Sequence, residues 1–465
     1  MFLKQIYLGC LSQASYLIGS DGEAAVVDPR RDIDEYLEEA RKAGLVIKHV
    51  LETHFHADFV SGHRELAART GAAIYFGRNA RPGYAVTSLA DGDEVRVGRV
   101  TLRTLETPGH TPESVCYLVV DREQGGEQGE QPVAVLTGDT LFVGEVGRPD
   151  LMGHQFTAEA MAGSLYDSLR MKLLTLPDGV VVYPGHGPGS SCGRNIGPET
   201  SSTIGKERQF NYALQIQDRD AFVRTVAGNL PAPPRYFPHD ARVNREGPQD
   251  LAPLLAALLP LPPREVDRLS RDGAALVLDT RAPKEFGEGH LPGSVNVGID
   301  GRYAAWVGTV LDPLSPFLIV APPGREAEAA MRLGRVGYDN VVGYLEGGVA
   351  AWRAAGLPVR DLPQIDVRDL ARRVDAGSVR VLDVRGSGEW EAGHIATATH
   401  LDLQRLADDL KVPLPGGGPV AVICGSGYRS SIACSLLEHA GVDIPLINVV
   451  GGMGAWNQAE LPVIK

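Results

Sequence analysis

Thr53-His54-Phe55-His56-Ala57-Asp58 decides how the first half of this chain is read. Two imidazoles and a carboxylate recur at every second position, directly after the apolar run 47–51, which reads as a buried strand. Alternate residues of an extended segment point the same way, so the spacing predicts that all three turn into one crevice. Gly109-His110, Gly138-Asp139 and Gly185-His186 then repeat the theme, each after an apolar or extended run and beside a glycine that lets the backbone bend. Imidazole and carboxylate together suit Zn, Fe, Mn or Ni. A single histidine would be read as a hydrogen-bonded core or surface residue, but this constellation reads as a metal site.

Strands and helices alternate outward from that stretch. Residues 1–7 read as a first strand and 24–28 as another, ending in an acid and a proline. Residues 34–43 form a helix stopped by Gly44, and 65–70 a helix ended by Gly71. Residues 95–105, 114–120 and 133–136 are further strands. Prolines crowd residues 231–263, and a shorter boundary lies at 355–365. Both read as linkers, because proline restricts itself and the residue before it. The expected domains are therefore 1–240, 264–360 and 366–465.

The last two domains read as copies. Leu278-Asp279-Thr280-Arg281 parallels Leu382-Asp383-Val384-Arg385, Gly289-His290 parallels Gly393-His394, and Trp352 parallels Trp456, at a constant offset of 104 residues. Each copy alternates short apolar strands with amphipathic stretches, which predicts an α/β domain with a mainly parallel sheet. Only the second copy carries a thiol at its centre. In Val422-Ile423-Cys424-Gly425-Ser426-Gly427-Tyr428-Arg429-Ser430-Ser431 an apolar strand delivers a cysteine into a glycine-containing loop, and a helix is expected over 430–439. The amides of Gly425, Ser426, Gly427 and Tyr428 and the helix N-terminus favour negative charge there. They are expected to lower the pKa of the thiol and to cradle an anionic substrate. Arg429 adds a cation. Cys434 reads as core. At the same offset the first copy has Val320 for Cys424 and Arg325 for Arg429.

The totals exclude several classes. A chain of 465 residues has room for two to four domains. A formal net charge of -13 argues against a nucleic-acid scaffold. No apolar run approaches the length of a membrane span; the stretch 254–261 is short and leads into Pro262-Pro263. The N-terminus lacks signal-peptide organisation. Five cysteines without a CxxC point to free thiols in a reducing cytoplasm.

The histidine constellation resembles the metallo-β-lactamase superfamily, whose signature is HxHxDH followed by further His, Asp and His ligands. The resemblance covers about residues 1–235 and implies an αββα sandwich with the metal at its edge. Phe59 stands where that signature has its second-metal histidine, so one ion is expected. Held by His54, His110 and Asp139, that ion would have the 2-His-1-carboxylate set of non-haem Fe(II) oxygenases, although zinc hydrolases also use two nitrogens and one oxygen. Gln13-Ala14-Ser15-Tyr16-Leu17, Thr107-Pro108-Gly109-His110-Thr111-Pro112-Glu113-Ser114, Gly138-Asp139-Thr140-Leu141-Phe142 and Gly147-Arg148-Pro149-Asp150-Leu151 resemble the persulfide dioxygenase branch. That resemblance implies a mononuclear iron on His54, His110 and Asp139, with His56, Asp58 and His186 orienting ligands and water. Arg148 is a candidate for the anionic part of the substrate, against a plain ion pair. Cys192, close after His186, is a candidate for holding substrate or persulfide, against a small buried side chain.

The loop around Cys424, with Asp383-Val384-Arg385 and Gly451-Gly452-Met453-Gly454-Ala455-Trp456, resembles the rhodanese family over about residues 366–465. The resemblance implies that Cys424 is the sulfur-carrying nucleophile, with Arg429 receiving the oxyanion. Residues 264–360 then look like a rhodanese homology domain that cannot carry persulfide, suited to spacing, docking or oligomer contact.

The whole is thus an α/β multidomain chain: a metallo-β-lactamase αββα sandwich followed by two rhodanese-like α/β domains. The expected activity is persulfide oxidation with O2 at one Fe(II) per chain, giving sulfite, with Cys424 passing sulfane sulfur to make thiosulfate. The expected partners are a small thiol persulfide, O2, sulfite and thiosulfate, with a protein persulfide donor and a homo-oligomer also in view, and neither nucleic acid nor membrane. The rivals are a zinc thioester hydrolase of the glyoxalase II type and a non-enzymatic sulfur carrier or sensor.

Overall fold

The computed structural model describes residues 1–121, 131–153, 156–410 and 418–465. They form two compact units, Met1–Ala252 with Gly334–Gly337, and Pro253–Leu333 with Tyr338–Lys465.

The first unit is built on two six-stranded sheets. One runs Phe2–Leu8, Gln13–Ser20, Glu23–Val27, Val46–Leu51, Ala73–Gly77, Thr87–Leu89 in spatial order. The other runs Ser202–Thr203, Val181–Pro184, Pro132–Gly138, Val115–Asp121, Val100–Glu106, Glu94–Val97. Their inner faces share one apolar core, in which Tyr16, Ile18, Val27 and Leu51 meet Leu102, Tyr117, Val119 and Leu136. Burying each such aliphatic side chain stabilises by about 1.5–3 kcal/mol. The outer faces are covered too. Tyr36, Ala40 and Leu66, from helices Asp34–Lys42 and His63–Thr70, pack on Val26 and Val50. Leu165 and Phe222, from helices Ala158–Ser168 and Arg219–Ala227, pack with Leu118, Val135 and Val182. Coverage on both faces explains why Gln13–Ser20 and Val115–Asp121 are buried at every residue. This is the expected four-layer αββα sandwich.

Two local expectations are corrected. The stretch 95–105 is a hairpin, Glu94–Val97 and Val100–Glu106, because Gly98 turns the chain at φ +58°. The proline-rich stretch after 231 is not simply a linker. It contains the helix Phe237–Glu246, which buries Phe237, Asp240 and Asn244. Pro238 sits in the first turn, where a helix has no use for the N–H that proline lacks.

The second unit holds two five-stranded parallel sheets of identical strand order. The first runs Pro260–Leu261, Val341–Leu345, Phe317–Val320, Leu276–Asp279, Val295–Asn296. The second runs Gln364–Ile365, Leu446–Val449, Val420–Ile423, Arg380–Asp383, Ala398–His400. The central strands Phe317–Val320 and Val420–Ile423 are wholly buried, as continuous apolar runs in a parallel sheet should be. Trp352 and Trp456 occupy matching places in the two cores. No helix among the described residues is long and apolar enough to cross a membrane.

Candidate metal centre and thiol loop

The segment 52–62 leaves the end of strand Val46–Leu51 as a series of bends. The three polar side chains fall into three adjoining trios. His54 joins His110 and Asp139, Asp58 joins His186 and Cys192, and His56 joins Asp28 and Glu52. In each trio the donor atoms lie within 4.8 Å of one another.

The first trio has the features of a metal centre. His110 Nδ1 lies 2.9 Å from the Arg148 carbonyl, which can only accept, so the ring proton sits on Nδ1. Thr53 Oγ1 donates to the Asp28 carboxylate at 2.9 Å, so it must accept from His54 Nδ1, also at 2.9 Å. Asp139 Oδ1 is taken by His186 Nδ1 at 2.8 Å. What remains is bare: His54 Nε2, His110 Nε2 and Asp139 Oδ2 are buried and have no hydrogen-bond partner. Asp139 Oδ2 lies 3.4 Å from His110 Nε2 and 3.9 Å from His54 Nε2. Three converging lone pairs, each oriented from behind, fit a divalent cation. Burial pushes His54 and His110 below the usual imidazole range, which keeps them neutral and able to ligate. Burial acts upward on Asp139, but His186, His110 and His54 outweigh it and hold the carboxyl well below its ordinary value. Glycines permit the approach. A Cβ at Gly138, which has φ +48°, would lie 2.6 Å from Thr53 Oγ1, and one at Gly185 2.6 Å from Asp139 Oδ1.

The other two trios flank the centre. His186 also has Nε2 2.7 Å from Asp58 Oδ2, so it lies between two carboxylates. Burial lowers its pKa, but Asp139 and Asp58 win and raise it well above the usual range. His56 Nε2 lies 3.0 Å from Asp28 Oδ1 and 3.4 Å from Glu52 Oε2. Burial again acts downward, and Asp28 and Glu52 raise His56 to about 10. Phe59 is buried with its ring centroid 4.2 Å from that of His56, filling space beside it with phenyl where an imidazole could have ligated.

Arg148 is buried and its donors are occupied. Nε and Nη2 bind Asp150 at 2.6 and 2.8 Å, Nη1 binds the Ser191 carbonyl, and Nη2 also binds the Pro231 carbonyl. These contacts favour the ion-pair alternative for Arg148 over that of a substrate receptor. The residue instead holds His110 through its own carbonyl. Cys192 is 1% exposed, and burial, then Asp58 and Asp139, push its thiol well above the usual range. That favours a protonated, packed thiol over a resting thiolate.

Sequence reasoning missed the pocket beside the centre. It has a volume of about 380 Å³. Phe55, Leu151, Phe156 and Phe237 make its walls apolar, and Arg81 and Arg245 supply cations. Glu113 also lines it, accepting the Phe55 N–H at 3.1 Å, with its carboxyl pushed up by burial. Asn244 ties helix Phe237–Glu246 to the ligand loop by donating to the His56 and Phe59 carbonyls, both at 2.8 Å. A signal did exist: Phe237 and Asn244 lie in the region masked by its prolines.

In the second unit, Cys424 follows strand Val420–Ile423 and is fully buried. Its Sγ accepts the Gly427 N–H at 3.1 Å and lies 3.5 Å from Ser430 Oγ. The following helix runs Tyr428–His439, two residues longer at its start than expected, because Gly427 takes up the left-handed conformation as its cap. The thiol-free copy docks on this helix: Tyr428 donates to the Gly298 carbonyl at 2.6 Å and Ser431 to Asn296 Oδ1 at 2.7 Å. Gly425 and Ser426 complete the loop beside the turn Gly451-Gly452, where a Cβ at Gly452 would lie 2.2 Å from the Cys424 carbonyl. Cys434 is buried in the helix, its thiol pushed up by burial.

Comparisons with known proteins agree with this layout. The family model for the metallo-beta-lactamase superfamily matches residues 8–186, and that for the rhodanese-like domain matches 262–355 and 366–459. The human protein "Persulfide dioxygenase ETHE1, mitochondrial" is 28% identical over 239 residues, half of this chain and 84% of that protein. A "Hydroxyacylglutathione hydrolase" of Rhodospirillum rubrum is 32% identical over 229 residues, 48% of this chain and 77% of that one. A crystal structure of a metallo-beta-lactamase from Staphylococcus aureus superposes with a TM-score of 0.65 at 33% identity, covering 74% of this chain and 98% of that one. The αββα sandwich with its converging donors, and the paired parallel sheets that follow it in the sequence, have the same explanation: the chain belongs to the metallo-beta-lactamase superfamily, as a fusion of such a domain with two rhodanese-like domains.

Proposed function

We propose that the front domain oxidises the terminal sulfur of a small thiol persulfide at a single ferrous iron, and that Cys424 relays sulfane sulfur onto the sulfite produced. The observation that carries this reading is the trio of bare atoms His54 Nε2, His110 Nε2 and Asp139 Oδ2, with Phe59 in place of a further ligand. The likeness to ETHE1 persulfide dioxygenases supports it.

The overall change is RSSH + O2 + H2O → RSH + H2SO3. Iron bound there would supply the site at which oxygen and the persulfide sulfur react. The chain's own part is to hold and exclude. Thr53, the Arg148 carbonyl and His186 fix the orientation of the three ligands. The apolar pocket takes the carrier of the persulfide, while Arg81 and Arg245 face the carrier's anionic groups. At the second site a persulfide on Cys424 is attacked by sulfite. The bond from Cys424 Sγ to the outer sulfur breaks, a new sulfur–sulfur bond makes thiosulfate, and the Gly427 N–H receives the returning thiolate. The sequence of reactions fits detoxification of sulfide and persulfide in a reducing compartment.

The hydrolase relatives support a second reading, thioester hydrolysis on zinc, with the Asp58, His186 and Cys192 cluster beside the first trio. Anaerobic purification with metal analysis, followed by oxygen uptake with glutathione persulfide, separates the two. About one iron per chain with persulfide-dependent uptake is expected, both lost in His110→Ala. Two zinc ions per chain, no uptake and turnover of a glutathione thioester would replace this reading with the hydrolase.

A further inference from the structure

The cation beside the sulfur loop is already paired. Arg429 Nη1 and Nη2 donate to Glu389 Oε2 and Oε1 at 2.6 and 2.7 Å, a two-pronged ion pair. Glu389 is held in place from behind, because Oε2 also accepts the Gly386 N–H at 3.3 Å as the cap of helix Ser387–Ala392. A second carboxylate is close. A Cβ built on Gly386 would lie 3.7 Å from Asp402 Oδ2 and 3.8 Å from Glu389 Oε2. The guanidinium carbon lies 6.0 Å from the ring centroid of Trp306, which belongs to the thiol-free copy. A Cβ on Gly425, one residue after the reactive cysteine, would lie 3.1 Å from Arg429 Nη2 and 3.7 Å from Glu389 Oε1. The pair therefore stands at the loop itself.

Sulfite and thiosulfate are oxyanions, and a guanidinium binds an oxyanion with the same fork it uses for a carboxylate. Here a built-in carboxylate occupies that fork. We infer that Glu389 sets the oxyanion affinity of the Cys424 site, holding Arg429 in a neutral pair so that thiosulfate is gripped by loop amides alone and released readily. The inference rests on the reading of Cys424 as the sulfur carrier. It makes Glu389 a positioning residue that weakens the hold on anions without touching the transferred sulfur. The side chains of Arg429 and Glu389 are 20% and 45% exposed, so solvent screens the pair and its effect is moderate.

The test is Glu389→Gln in the full-length protein, which keeps the side chain's shape and an oxygen for the Gly386 cap. Thiosulfate-to-cyanide transfer is followed across thiosulfate concentration and ionic strength, with a thermal melt on the same sample. The KM for thiosulfate should fall about threefold to tenfold with kcat equal or lower, and should become more sensitive to salt. An unchanged or higher KM overturns the inference, because Glu389 would then be presenting Arg429 to the anion rather than withholding it. The wild type gives an independent reading should the variant melt early. A KM nearly independent of salt is expected, and one rising steeply with salt overturns the inference. Normal transfer with an unaltered KM in the variant sinks this inference alone. No transfer in the wild type sinks the sulfur-carrier reading and this inference with it.

Discussion

The two rhodanese-like copies share a strand order, and the loop after their central strands differs. In each, an Asp–x–Arg pair at the end of a buried strand closes on itself and then grips a distant carbonyl. Arg281 binds Asp279 and the Gly289 carbonyl, and Arg385 binds Asp383 and the Gly393 carbonyl, both carbonyls at 2.9 Å. In each, the histidine of the Gly-His pair stacks on an aromatic ring four residues earlier, His290 on Phe286 and His394 on Trp390. In each, a tryptophan N–H reaches a proline carbonyl, Trp352 to Pro358 and Trp456 to Pro462. The residues that make the repeat visible are thus fasteners of the fold. The chemistry proposed for the second copy rests on what is not repeated, the cysteine loop 424–429 against Ala321-Pro322-Pro323-Gly324. A domain can lose its reaction and keep its architecture because the two depend on different residues.

The largest effect expected from this contrast is at the cysteines. Cys424→Ser should lower thiosulfate formation by at least about a thousandfold, while persulfide-dependent oxygen uptake persists. Ala321→Cys in the first copy should restore none of it to that variant: Ala321 follows strand Phe317–Val320 as Cys424 follows Val420–Ile423, so the 104-residue offset slips by one here, and Pro322 and Pro323 remove two amide donors from the loop. Sulfane transfer by the double variant would break the contrast. Next come the fasteners. Asp279→Ala and Asp383→Ala each leave an arginine mostly buried and unpaired, and each should destabilise the second unit by about 3–5 kcal/mol in urea unfolding. Equal costs sharpen the comparison; a loss of transfer without a loss of stability in Asp383→Ala would give that pair a chemical role. The smallest effect should come from Trp352→Phe and Trp456→Phe, about 1–2 kcal/mol each from one hydrogen bond and a small void. Matching shifts in the unfolding midpoint are expected.

Much of this was legible in the chain itself. Apolar runs ending in His, Asp or Cys marked the strand ends where the candidate site residues stand, and a constant offset revealed the duplicated domain. Those signals survive in one dimension because burial imposes a period and strand ends impose an order. His54, His110 and Asp139 were legible for that reason, and so was Cys424. Tertiary structure alone decided where the neighbouring side chains point. His56 and Asp58 share a hexapeptide with His54, yet face Asp28 and His186, because the backbone bends at each step after the strand. Whether Arg148 meets an anion or an internal partner is open in the sequence, and the fold sets Asp150, Ser191 and Pro231 against its donors. Glu389 looks like one more surface acid until the fold sets it against Arg429, forty residues away. Periodicity follows from the local backbone, whereas the partner of a charge is chosen by whichever distant segment packs beside it.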